Sequence, residues 1–109
     1  MTELSKEDQK KMNELQIMEQ SRQQINMQKQ AVTTQIFEIE SALNEIEKTS
    51  EAYKFVGSVL VKKDPKILAK ELEEEKELKE KQIEKLQQQE EKFDKKIEDL
   101  RKDLLKSMK

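Results

Sequence analysis

The chain has no cysteine, no histidine and no tryptophan, and only one glycine, one proline and one tyrosine among its 109 residues. Each absence closes a class of mechanism. Without cysteine there is neither a disulfide framework nor a thiolate nucleophile. Without histidine no side chain ordinarily titrates near neutral pH. A lone Gly57 supplies no glycine-rich loop to cradle a phosphate. Carboxylates are plentiful, but a general acid or base needs a pocket to shift its pKa, and long paired helices offer none. No enzyme activity, metal or cofactor is therefore expected. Long apolar runs are missing as well. None approaches the roughly 18 residues of a membrane span, and the polar first residues do not read as a signal peptide. A cytoplasmic location is the expectation.

Charge of one sign is also lacking. Twenty-two Lys and Arg stand against 24 Asp and Glu, a net charge of −2, with the signs interspersed. Such a surface has no strong field to recruit nucleic acid or an anionic membrane. What is present is 42% charged and 33% hydrophobic. That is too little apolar material for a conventional core, and it fits the long-helix and coiled-coil class. High charge with few aromatics is equally a signature of disorder, so periodicity has to decide.

Periodicity decides for helix. Ser5 is placed to cap a helix, with Asp8 three residues on at the positive end of its dipole. From there two rows, Leu15, Arg22, Lys29, Ile36, Leu43 and Met18, Ile25, Val32, Ile39, Ile46, alternate in steps of three and four. This is a coiled-coil seam, and it predicts a helix over about 5–48. Asp64-Pro65 puts a capping residue before a proline at the first helical position, which predicts a second helix over about 65–107. Its seam runs Ala69, Leu72, Lys76, Lys79, Ile83, Leu86, Glu90, Phe93, Ile97, Leu100, Leu104, Ser107, with Leu78 a candidate to take over where the lysines interrupt it. The run Glu73-Glu74-Glu75-Lys76-Glu77 reads as a solvated face, because adjacent helical residues do not face each other. Nearly equal helices about a central break suggest an antiparallel pair. Folding back there sets Leu43 near Leu72, Leu15 near Leu100, and Arg22 and Lys29 against the stretch holding Glu90. Those three polar residues either specify register or reach past the seam to water.

The break is unlike its flanks. Ala52-Tyr53-Lys54-Phe55-Val56 and Val59-Leu60-Val61-Lys62-Lys63 are β-branched and aromatic around Gly57-Ser58. They predict a hairpin over about 52–63, with a type II′ turn and Gly57 at positive φ. Tyr53, Phe55 and Leu60 then share one face, and Val56, Val59 and Val61 the other. An isolated hairpin cannot bury both faces and is marginal in water. These strands are expected to join a larger sheet supplied by other subunits. At the far ends of the helices, Met12, Ile17, Leu105 and Met108 fall off the seam, and Leu4 lies nearby. Exposed apolar groups mark contact sites, and methionine suits surfaces that repack for varied partners.

A long helix, a single hairpin of the form Tyr53-Lys54-x-Val56-Gly57-x-x-Leu60-Val61 and a second helix resemble the beta-class subunits of prefoldin. The resemblance spans the whole chain, 1–109, as one unit. It implies a mainly α fold, a long antiparallel two-helix coiled coil whose central β-hairpin joins an oligomeric β-barrel. It also implies a hexamer of two alpha-class and four beta-class subunits. That assembly is an ATP-independent chaperone that holds non-native proteins at its coiled-coil tips and passes them to a group II chaperonin. The tip role falls on Leu4, Met12, Ile17, Leu105 and Met108, and the assembly role on Tyr53, Phe55, Val56, Gly57, Val59, Leu60 and Val61. The competing expectation is a structural coiled coil that dimerises through its helices.

Overall fold

The structure, a computed structural model, describes residues 5–107. Helix α1 runs over Lys6–Glu47, strands β1 and β2 over Ala52–Val56 and Val59–Lys63, and helix α2 over Pro65–Ser107. The expected elements are present, with α1 one residue shorter at each end.

The helix starts follow from the residues named for them. The Asp8 backbone N–H donates to Ser5 Oγ at 3.0 Å. This satisfies one of the donors that the first helical turn leaves unpaired. At the second start the Lys66 N–H donates to Asp64 Oδ1 at 2.9 Å. The Leu68 N–H donates to the Asp64 carbonyl at 2.9 Å. Pro65 gives up no bond, because its missing N–H falls at a position with no intrahelical partner. Helix α1 ends without glycine. Lys48 and Thr49 N–H groups tighten back onto the Glu45 and Ile46 carbonyls at 3.1 and 3.3 Å. Thr49 Oγ1 then donates to the Glu51 carbonyl and accepts from the Glu51 N–H, turning the chain toward β1.

The chain divides into two compact units. One comprises α1 up to Gln30 together with α2 from Glu84 onward. Its core is the seam, with Ile25, Leu86, Ile97 and Leu104 buried and Leu15, Met18, Phe93 and Leu100 half-buried beside them. Four ion pairs cross between the helices here: Lys11–Asp103, Arg22–Asp94, Lys29–Glu90 and Arg101–Glu19. All four join residues nearly symmetric about Gly57-Ser58, so the fold-back register is the expected antiparallel one. One detail is corrected. Glu90 takes Lys29 at 3.5 Å, whereas Arg22 pairs with Asp94, one turn further along α2.

The other unit, Ala31–Ile83, holds the hairpin and the helix segments flanking it. Val32, Ile39, Ala52 and Leu68 are its buried residues. Two seam expectations are corrected here. Leu68 is buried while Ala69 is only half-buried. Leu68 and Leu72, one turn apart, share a face and both line the hollow under the hairpin, so α2 serves the hairpin as well as α1. Leu78 does not take over the seam and is 67% exposed. Lys76 and Lys79 keep their seam places half-buried. Their ammonium groups reach Glu40 at 3.4 Å and Gln35 at 2.9 Å on α1. Long lysine stems cover the apolar surface while the charged heads find partners at its edge, so the heptad phase is not displaced.

Candidate functional site

Two surfaces stand out, one in each unit. The first is the hairpin. Its strands pair antiparallel with Phe55 opposite Leu60 and Val56 opposite Val59. Gly57 has φ 63°, and no other described residue has positive φ. That pattern fits type II′, which needs positive φ only at its first central residue, and excludes type I′, which needs it at both. Because opposite residues share a face, one face carries Tyr53, Phe55, Leu60 and Lys62. The other carries Ala52, Lys54, Val56, Val59, Val61 and Lys63.

Neither face is covered. Phe55 is 70% exposed, Val59 61%, and Tyr53, Val56, Leu60 and Val61 are exposed with them. Ala52 is the one buried residue of the two strands. Beneath the hairpin base lies an open hollow of about 370 Å³, lined by Ala42, Ile46, Ala52, Phe55, Leu68 and Leu72 among others. Lys54 and Lys63 both reach Glu71 of α2, which accepts from Lys63 Nζ at 3.0 and 3.1 Å and lies 3.7 Å from Lys54 Nζ. The hydrogen bond from Lys63 holds the Glu71 carboxyl below the usual carboxylate range, against a smaller opposing effect of desolvation.

The second surface lies in the unit built from the two helix ends. Met12, Ile17 and Leu105 are exposed, Ile17 and Leu105 by more than half. Leu4 and Met108 lie outside the described residues. The three described residues do not form one patch. Met12, Glu19 and Asn26 are spaced by seven and line one stripe of α1. Arg101 and Leu105, spaced by four, line one stripe of α2. Glu19 and Arg101 meet at 2.6 Å, so these stripes adjoin. An open, mainly polar groove of about 520 Å³ runs along them, lined by Glu19, Arg22, Gln23, Asn26, Asp94, Ile97 and Arg101. Asp94, which accepts a hydrogen bond from Arg22, also raises the pKa of that guanidinium. Ile17 is five residues from Met12, about 140° around the helix, and faces elsewhere.

Sequence reasoning missed Met27, Phe37 and Ile67, each more than half exposed. The signal was available. All three fall off the seam rows, and the test applied to the helix ends would have found them along the rest of the chain. Among the described residues no group of three or more acidic side chains is arranged to hold a metal ion, and no helix is long and apolar enough to cross a membrane.

Set beside known proteins, the chain matches the family model described as prefoldin subunit over residues 9–109. The chain belongs to the prefoldin subunit family. Prefoldin subunits are chaperone-type subunits, not enzymes. Among curated relatives, the prefoldin subunit beta of Archaeoglobus fulgidus is 38% identical over 96 residues, covering 85% of this chain and 83% of its own. The prefoldin subunit beta of Thermococcus onnurineus is 36% identical over 92 residues, covering 82% and 79%. The crystal structure of the prefoldin beta subunit from Thermococcus strain KS-1 superposes with a TM-score of 0.89 at 29% identity, covering 98% of this chain and 96% of that one. The prefoldin beta fold, two long helices about one antiparallel hairpin, is therefore the fold of this chain.

Proposed function

We propose that residues 1–109 work as one beta-type subunit of a prefoldin hexamer, two alpha-class and four beta-class chains joined through their hairpins into β-barrels. The observation that carries this is the hairpin itself. Six apolar side chains, Tyr53, Phe55, Val56, Val59, Leu60 and Val61, are exposed on both of its faces. A two-stranded sheet has two unpaired edges that further strands satisfy, and an isolated hairpin buries neither face. Gly57 provides the turn that brings the strands into register.

The complex acts as an ATP-independent holdase in the cytoplasm. It captures non-native proteins at the helix ends and delivers them to a group II chaperonin. Met12, Ile17 and Leu105 are the described candidates for client contact, with Leu4 and Met108 completing the set. Each of the three described residues is a small exposed apolar contact, so each holds weakly. Several arms on one client raise the effective concentration and give avidity without tight single sites. Stepwise release then suits handover.

The two roles separate by substitution. Changing Phe55, Val59 and Leu60 to Ser is expected to abolish the large complex in size-exclusion chromatography while helicity by circular dichroism is retained. Changing Met12, Ile17 and Leu105 to Ser is expected to leave the complex formed and to lower its suppression of client aggregation. An intact complex in the first variant removes the platform role. Undiminished suppression in the second moves the client site elsewhere.

A further inference from the structure

Little of the hairpin is buried against the rest of the chain. Of its ten strand residues only Ala52 is buried, and the open hollow at its base leaves room for the strands to tilt. Against that loose packing stands a single carboxylate. Glu71 on α2 takes Lys63 of β2 at 3.0 Å and Lys54 of β1 at 3.7 Å. The two lysines come from different strands but the same face, the one bearing Val56, Val59 and Val61. The hairpin's remaining ion pair among the described residues, Lys62–Glu51 at 3.9 Å, joins β2 to the residue just before β1 and fixes nothing to α2.

The geometry points to Glu71 as the positioning residue of the assembly surface: by tying both strands to α2 it sets the tilt of the hairpin, and so the direction in which the valine face meets the hairpin of a neighbouring subunit. This rests on the assembly role proposed above. A rigid tilt matters because strand pairing between subunits demands register and direction together, and a hairpin that swings loses orientational freedom on every association. Exposed ion pairs are individually weak. Two lysines sharing one acceptor restrain two strands at once, which a single pair does not.

The test uses the full chain in two settings. In Glu71→Gln the shape is kept and the charge removed. A second variant exchanges the charges (Glu71→Lys with Lys54→Glu and Lys63→Glu). Residual dipolar couplings of residues 52–63 relative to those of α2 report the tilt in the chain alone. Titration with an alpha-class subunit reports assembly. Glu71→Gln is expected to average the hairpin couplings, leave helicity unchanged, and weaken assembly by about three- to tenfold, with the exchanged variant recovering both. Unchanged couplings, or averaged couplings with undiminished assembly, overturn the positioning role. An intact complex after Phe55, Val59 and Leu60 are changed to Ser overturns the assembly reading instead, so the two failures are told apart.

Discussion

The two units hold α1 against α2 in contrasting ways. The unit of residues up to Gln30 and from Glu84 has a seam of Ile25, Leu86, Ile97 and Leu104 and four helix-to-helix ion pairs. Among the described residues its exposed apolar side chains are scattered: Met12, Ile17, Met27 and Leu105. The unit of Ala31–Ile83 gathers six of its exposed apolar side chains onto one hairpin. Contiguous β-branched and aromatic surface suits a lasting interface, because stiff side chains lose little freedom when covered. Scattered, flexible side chains suit contacts that form and break. On the function proposed above, one short chain thus separates surface for lasting assembly from surface for repeated contact.

The sharpest way to break that contrast is to compare a seam residue with a hairpin residue in the chain alone. Ile97→Ala empties a buried site in a narrow core and is expected to cost about 2–4 kcal/mol by thermal or denaturant unfolding. Val59→Ala, at a site already in water, is expected to leave that midpoint nearly unchanged. Equal losses would mean that the hairpin is already buried without partners. A smaller effect comes from the turn. Gly57→Ala meets no atom within 4 Å, so only the backbone at φ 63° resists it. A cost of about 1 kcal/mol is expected, read as faster amide exchange in β1 and β2 with α1 and α2 unaltered.

The smallest effect is that of acid on Glu71. Its carboxyl is lowered in the folded chain, so its tie to Lys63 and Lys54 is fully present above the ordinary carboxylate value. It is lost as pH falls through the lower, folded one. Carboxyl-carbon NMR is expected to show Glu71 titrating below the ordinary carboxylate range, and hairpin contacts to α2 fading over the same interval. Titration of Glu71 at the ordinary carboxylate value would remove the tie.

Much of this was legible in the sequence, because helix caps, heptads and turn residues are local signals. Ser5, Asp64-Pro65 and Gly57 each act within four residues of themselves, and the elements follow from them. What escaped was decided between elements. Leu68 is buried and lines the hollow at the hairpin base with Ala42 and Ala52, a placement between elements that no single-helix pattern shows. Leu78 stays out because Lys76 and Lys79 find Glu40 and Gln35 across the seam. Arg22 prefers Asp94, off the seam row, because a guanidinium reaches the flank that a shorter side chain would not. The Glu71 tie joins residues from three elements, and a run of glutamates offers no hint which of them will be used.

The fold-back register has a kinetic side. Glu19 and Arg101 are 82 residues apart along the chain, whereas Lys63 and Glu71 are separated by 8. A first encounter between the distant ends would close a very long loop with one contact to show for it, and closure entropy grows with loop length. A first closure at Gly57-Ser58 makes every later pairing the next short step of a zipper. The rate of reaching the native state is then governed by how fast a two-residue turn forms, not by the length of the helices it joins. Lengthening both helices by equal heptads would leave folding almost as fast, while loosening the turn would slow it at any length.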